Sequence, residues 1–204
     1  MTYAELNCIS NFTFLKGASH ADELVSRAAE LGLSAIAIAD TNSFAGIVRG
    51  HAAAKELGLT YLVAVRLILQ DGAELVAYPK TRKGYGHLCR LLTLGKRRAS
   101  KGQCHLAIED VLEWGAECVF ILIDGTDHLP ILKNAFGEDI FLALKPAYDG
   151  ADAARFKTRQ RSLKLWTCRS SVSVTFSCIA PSGGDWRMCC LACGRRRKLT
   201  SLAV

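Results

Sequence analysis

The 204 residues are half apolar and carry a formal net charge of +7, enough chain for one domain with a sizeable core. No apolar run reaches membrane-spanning length, and no basic segment followed by an apolar one opens the chain. A membrane or secreted class is therefore not expected; the expected location is cytoplasmic, with the nine cysteines reduced.

Residues 3–8 read as a short strand running into a Ser/Asn loop. Ser19 is the expected N-cap of a first helix, with Asp22 reaching back to it as in a capping box. Leu24, Val25, Ala28, Ala29 and Leu31 share one helical face, and Gly32 suits the C-terminal turn. Residues 34–39 form an apolar run of strand length ending at Asp40. Being apolar on both faces, it suits a central parallel strand covered by helices.

Asp40, Thr41, Asn42 and Ser43 supply caps for a second helix, with Phe44, Ile47, Val48, His51 and Ala52 at helical spacing and a stop at Gly58. Residues 60–69 read as a third strand. Gln70-Asp71-Gly72 then turns into a fourth, residues 74–78, so that these two form a hairpin closed off by Pro79. A helix over residues 81–98 turns Tyr85, Leu88, Cys89, Leu91 and Leu92 inward and gathers Lys96, Arg97 and Arg98 at its C-terminal end, where the helix dipole favours cations. A polar loop, a short helix over 109–114, a fifth strand over 118–123, a helix over 127–136 interrupted early by Pro130, and a sixth strand over 140–144 complete the pattern. Strands alternating with helices imply an α/β sheet or barrel of mostly parallel strands, with any ligands at the C-terminal strand ends.

Asn7, Asp40 and Arg66 stand at or near such ends, and of these only Asp40 is a good hard-metal ligand. The expected role of Asp40 is nevertheless a helix N-cap. The five histidines show no paired ligand spacing, and no nucleotide-binding glycine loop or nucleophile elbow is present. Lys96, Arg97, Arg98 and Lys101 form a local basic cluster. A solvated helix end is its expected role, and contact with a phosphate backbone is the functional alternative.

Residues 159–204 hold nine of the 26 Lys and Arg but a single acid, Asp185, together with five cysteines and two of the three tryptophans. The basic balance therefore belongs to the last quarter of the chain. The Cys190-x-x-Cys193 spacing there, with scattered Cys168, Cys178 and Cys189, lacks the second ligand pair of a structural zinc site. High Arg, Ser, Cys, Gly and Trp with almost no acid suggests a GC-rich coding sequence read out of frame. With suitable codons, a one-base shift turns residues 166–190 into LDLPVVGVGDVLLHRAERRRLADVL, an apolar strand followed by a GD…H segment. The expectation is a frameshift between about residues 157 and 166, leaving a poorly ordered tail and an exposed sheet edge at residues 140–144.

Three segments carry a resemblance: YAELNCISNFTFLKGASHADELVSRAAELGL, AIAIADTNSFAGIVRGHAAAKELGL and AYPKTRKGYGHLCRLLTLGKRRASKGQC. In this order they resemble the PHP (polymerase and histidinol phosphatase) domain that opens bacterial error-prone DNA polymerases, relatives of the C-family replicative α subunits. The resemblance covers roughly residues 3–158 and implies a distorted β/α barrel, here incomplete. In metal-binding members, His, Asp and Glu ligands activate water to cleave phosphoesters.

Carried onto this chain, the family's opening His-x-His falls on Asn7 and Ile9. Its Asp-His pair falls on Asp40 and Thr41, and its Glu falls on Arg66. The resemblance therefore implies a degenerate site, no cofactor in this chain where intact members hold a divalent metal, and no catalytic residue. The polymerase acids of the family lie far downstream of this domain and are expected to be absent. The implied role is structural, with DNA and the remainder of the polymerase as partners and neither a membrane nor a specific small molecule. The competing expectations are a working metal-dependent phosphoesterase or 3′–5′ exonuclease, and a small nucleic-acid-binding module.

Overall fold

A computed structural model describes residues 3–143, 150–154 and 156–158. The chain divides into two compact units, the first ending at Arg66 and the second beginning at Leu67. The basic tail, its cysteines and the frameshift expectation lie outside the described residues.

In the first unit, strand β1 (Ala4–Cys8), helix α1 (Ala21–Glu30), strand β2 (Ala35–Ile38), helix α2 (Ile47–Leu57) and strand β3 (Thr60–Val63) follow one another. The three strands form a parallel sheet in the order β1-β2-β3. All four residues of β2 are buried, as its two-sided apolar sequence requires of a central strand. Alternation divides its side chains between the two faces. Ile36 and Ile38 join Cys8 and Tyr61 in the core cluster that contains Leu24, Val25 and Ala28 of α1 and Ile47 and Ala54 of α2.

Helix α1 buries Ala21, Leu24, Val25 and Ala28, a single stripe at helical spacing. Its cap differs from the expected one by a residue. His20 is the N-cap, and its backbone N–H donates to Glu23 Oε2 at 2.8 Å; neither Ser19 nor Asp22 fills the expected role.

Helix α2 departs further. It begins at Ile47 with Gly46 as N-cap, not within residues 40–43, because those residues are bound elsewhere. Thr41 bridges to Arg66, the Arg66 N–H donates to the Asp40 carbonyl at 3.1 Å, and the Asn42 N–H donates to the Arg66 carbonyl at 2.8 Å. The buried face of α2 is Ile47, Gly50 and Ala54, while Val48, His51 and Ala52 are exposed. Gly58 ends it in the left-handed conformation, φ +67°, which glycine adopts without a Cβ penalty.

The single expected strand over residues 60–69 is two. It breaks at the fully buried Ala64 into β3 and strand β4 (Val65–Ile68), and the two halves join different sheets.

Strand β4, whose last two residues open the second unit, leads through the turn at residues 70–72 into strand β5 (Glu74–Pro79), as the hairpin reading anticipates. Helix α3 (Arg82–Arg98), helix α4 (Ile108–Trp114), strand β6 (Cys118–Asp124), helix α5 (Leu129–Phe136) and strand β7 (Ile140–Leu142) complete a four-stranded sheet in the order β4-β5-β6-β7. Strands β5 and β6 are antiparallel, with Leu75 opposite Leu122 and Ala77 opposite Phe120; β6 and β7 are parallel.

Thr81 caps α3 by accepting from the Gly84 N–H at 3.1 Å. Leu88, Leu91 and Leu92 are buried as expected, but Tyr85 is 38% exposed. Pro130 lies in the first turn of α5 rather than interrupting it, where its missing N–H would have no helical partner anyway. The described strands thus mix helices with mostly parallel pairing, the α/β class read from the sequence, and they form no closed barrel. Among the described residues no helix is long and apolar enough to cross a membrane, and there is no disulfide.

Candidate functional site

The first unit buries five polar or charged side chains at or just beyond its strand ends: Asn7, Ser10, Thr13, Asp40 and Arg66. Burial of this kind is costly unless each group finds a partner, and here the partners define two small networks.

The first is centred on Asp40, 1% exposed, just past the end of β2. Its Oδ1 accepts from the Ser10 N–H at 2.8 Å and from Thr13 Oγ1 at 2.8 Å, while its Oδ2 accepts from Ser10 Oγ at 2.6 Å. Thr13 Oγ1 in turn accepts from the Thr41 N–H at 3.0 Å. An ionised carboxylate offers about four lone-pair positions, and three of them hold the loop that follows β1. Asp40 is therefore neither the helix N-cap that its sequence position suggests nor an open metal ligand; it fastens residues 10–13 to the end of β2. Gly46 leaves room for the arrangement, since a Cβ there would lie 3.0 Å from Asp40 Oδ2 and 3.1 Å from Ser10 Oγ.

The second network joins Asn7 to Arg66, 59 residues apart in the chain. Arg66 Nη2 donates to Asn7 Oδ1 at 2.9 Å, with both residues buried. Ile9, two residues along from Asn7, is partly buried and offers no donor atom. Thr41 Oγ1 is shielded from solvent and has no hydrogen-bond partner among the described residues. On the Asn7 face of β1, burial pushes the Glu5 carboxyl above its ordinary range, and the carboxylate accepts from the Tyr3 hydroxyl at 2.7 Å and the Asn7 N–H at 3.2 Å. Burial likewise raises the Tyr61 phenol, with the charge of Asp40 adding to the effect.

The five positions singled out in the sequence thus fall in one unit, but their chemistry does not suit a divalent cation. The amide oxygen of Asn7 is engaged by a guanidinium, and Arg66 adds fixed positive charge. Asp40, the one carboxylate among the five, is largely saturated. Among the described residues no group of three or more His, Cys, Asp or Glu could hold a metal ion. Ser10 and Thr13, which complete the Asp40 network, carried no signal in the sequence beyond their loop-forming residue types.

The basic cluster is split by the helix that carries it. Arg98 is bound by both carboxylate oxygens of Asp110, at 2.9 and 2.7 Å. Burial pushes the Cys104 thiol above its ordinary value, and the charge of Lys96 opposes that rise only in part. Lys96, Arg97 and Lys101 are exposed.

Comparison with known proteins bears on what this site belongs to. The family described as "PHP domain" matches residues 5–149. Error-prone DNA polymerase 1 of Rhizobium meliloti (strain 1021) is 43% identical over 164 residues, covering 76% of this chain and 15% of that protein. Error-prone DNA polymerase of Rhodopirellula baltica is 51% identical over 113 residues, covering 55% of this chain and 10% of that protein. The chain thus spans a small fraction of the length of the curated relatives it matches. Among solved structures, a protein from Bifidobacterium adolescentis assigned to the metal-dependent phosphoesterases superposes with a TM-score of 0.62 at 14% identity, covering 83% of this chain and 85% of the other. The likeness at that identity is one of fold. With the family match spanning most of the chain and both compared polymerases aligning to it, the chain belongs to the PHP domain family.

Proposed function

We propose that this chain is the PHP portion of an error-prone DNA polymerase of translesion synthesis, residues 1–158 forming the domain, and that its role there is structural rather than hydrolytic. The observation that carries the reading is the buried contact of Arg66 with Asn7, a cation held among the positions where the family resemblance calls for metal ligands. A buried guanidinium raises the electrostatic cost of bringing a divalent ion close. In this reading DNA and the remainder of the polymerase are the partners of the intact protein, which works in the cytoplasm, and nucleotidyl transfer belongs to residues outside this chain. The names of the aligned relatives support the assignment to a polymerase.

The competing reading, a metal-dependent phosphoesterase or exonuclease, is tested directly by activity. The chain should release no nitrophenol from bis(p-nitrophenyl) phosphate above the metal-only rate when supplied with manganese. A manganese-dependent turnover lost in Asp40→Ala would replace the structural reading with the hydrolytic one.

A further inference from the structure

We infer that the second unit carries a binding groove for single-stranded nucleic acid between α3 and α4. The groove is a shallow, open depression of about 470 Å³ lined by Arg90, Thr93, Leu94, Arg97, Arg98 and Trp114. It overlaps the sequence-level basic cluster only in Arg97 and Arg98, and it does not depend on the state of the metal positions in the first unit.

Its walls differ in how free they are to bind. Arg98 is committed to Asp110, which fixes α3 against α4 and leaves that guanidinium largely neutralised. Arg90 and Arg97 make no ion pair with any described residue, and both are exposed. Lying seven positions apart, they fall on one face of α3, two turns or about 10.5 Å along its axis. A single phosphate cannot span that distance, whereas two phosphates of one strand can meet the two guanidinium groups. Each of these groups can bind its phosphate through two parallel N–H donors.

Trp114 supplies the second component. The Arg90 guanidinium lies 5.7 Å from the indole centroid, a cation–π contact that limits the conformations of the arginine before any ligand arrives. His87 meets the same ring edge-on at 6.1 Å. Among the described residues no carboxylate lines the groove. Arginines with no described ion-pair partner, set beside an aromatic side chain, match the pairing by which sequence-independent single-strand sites combine phosphate attraction with base stacking. An acidic peptide would satisfy the arginines but offers no planar base to stack on the Arg90 guanidinium and the indole beside it.

The test is fluorescence anisotropy of a labelled 20-nucleotide oligothymidylate with the full chain, at several salt concentrations. Native protein is compared with the double variant Arg90→Glu/Arg97→Glu and with a tail variant, Arg195→Glu/Arg196→Glu/Arg197→Glu. All the substituted arginines of the groove variant are on the surface, and circular dichroism verifies folding. The expected result is at least about a tenfold loss of affinity in the groove variant. The slope of log affinity against log salt should also fall by about 1.4, since each lost single-strand phosphate contact removes about 0.7. The tail variant should keep the greater part of the groove-dependent binding. Undetectable binding by the native chain, binding lost only with the tail charges, or equal competition by polyglutamate at matched charge would each overturn the proposal.

Discussion

Asp40 shows how one residue type can serve two local purposes. An aspartate at the end of an apolar strand, followed by Thr, Asn and Ser, reads as a helix cap, yet the carboxylate turns to the loop after β1 and takes three donors from Ser10 and Thr13. Nothing in the local sequence distinguishes the two outcomes, because both need a short acceptor side chain just past a strand. The energetic stakes are high. Asp40→Ala leaves three buried donors without their acceptor, and each costs about 1–3 kcal/mol. The expected loss is therefore about 3 kcal/mol or more of folding stability, read from the urea midpoint, with Asp40→Asn less severe because its amide oxygen still accepts. A change below about 1 kcal/mol in Asp40→Ala would mean that the network does not hold the loop. The Asn7–Arg66 contact was beyond reach of the residues alone, since 59 positions separate the partners. Only the family resemblance implied that both belong to one site.

At the scale of elements, the sequence disclosed the order and type of nearly every helix and strand but not where two of them begin and end. Periodicity located α2, while its N-terminus was misplaced because residues 40–42 are drawn into backbone pairing with Arg66. The break at Ala64 has no Gly or Pro to mark it; it exists because β3 and β4 pair with different neighbours, a tertiary fact that strand propensity does not encode. The packing of α2 on β3 does have a sequence correlate, Gly50. A Cβ at this position would lie 2.8 Å from Tyr61 Oη and 2.9 Å from its ring. Gly50→Ala gains up to about 1 kcal/mol of helix propensity but forces overpacking worth about 1–3 kcal/mol, so stability should fall. Gly86→Ala in α3, where a Cβ would meet nothing within 4 Å, keeps the propensity gain alone and should raise it. Thermal melts of the pair should therefore shift in opposite directions. Stabilisation by both substitutions would refute the close contact of α2 with Tyr61.

For the whole molecule, family membership and α/β class were already readable, because long segments in fixed order and strand–helix alternation do not depend on any single site residue. The chemistry of the site was readable only through the family resemblance, which placed Asn7, Ile9, Thr41 and Arg66 at positions of ligands. The geometry adds a physical reason for expecting no metal centre: the cation already present there is Arg66. Calorimetric titration of the chelator-treated chain with manganese tests this most directly, since a hard cation avoids the tail thiols. The native chain should give heats no larger than dilution. The variant Asn7→His/Ile9→His/Thr41→His/Arg66→Glu, which replaces the guanidinium with ligands, should bind the ion. Stoichiometric, tight manganese binding by the native chain, lost in Asp40→Ala, would contradict the account.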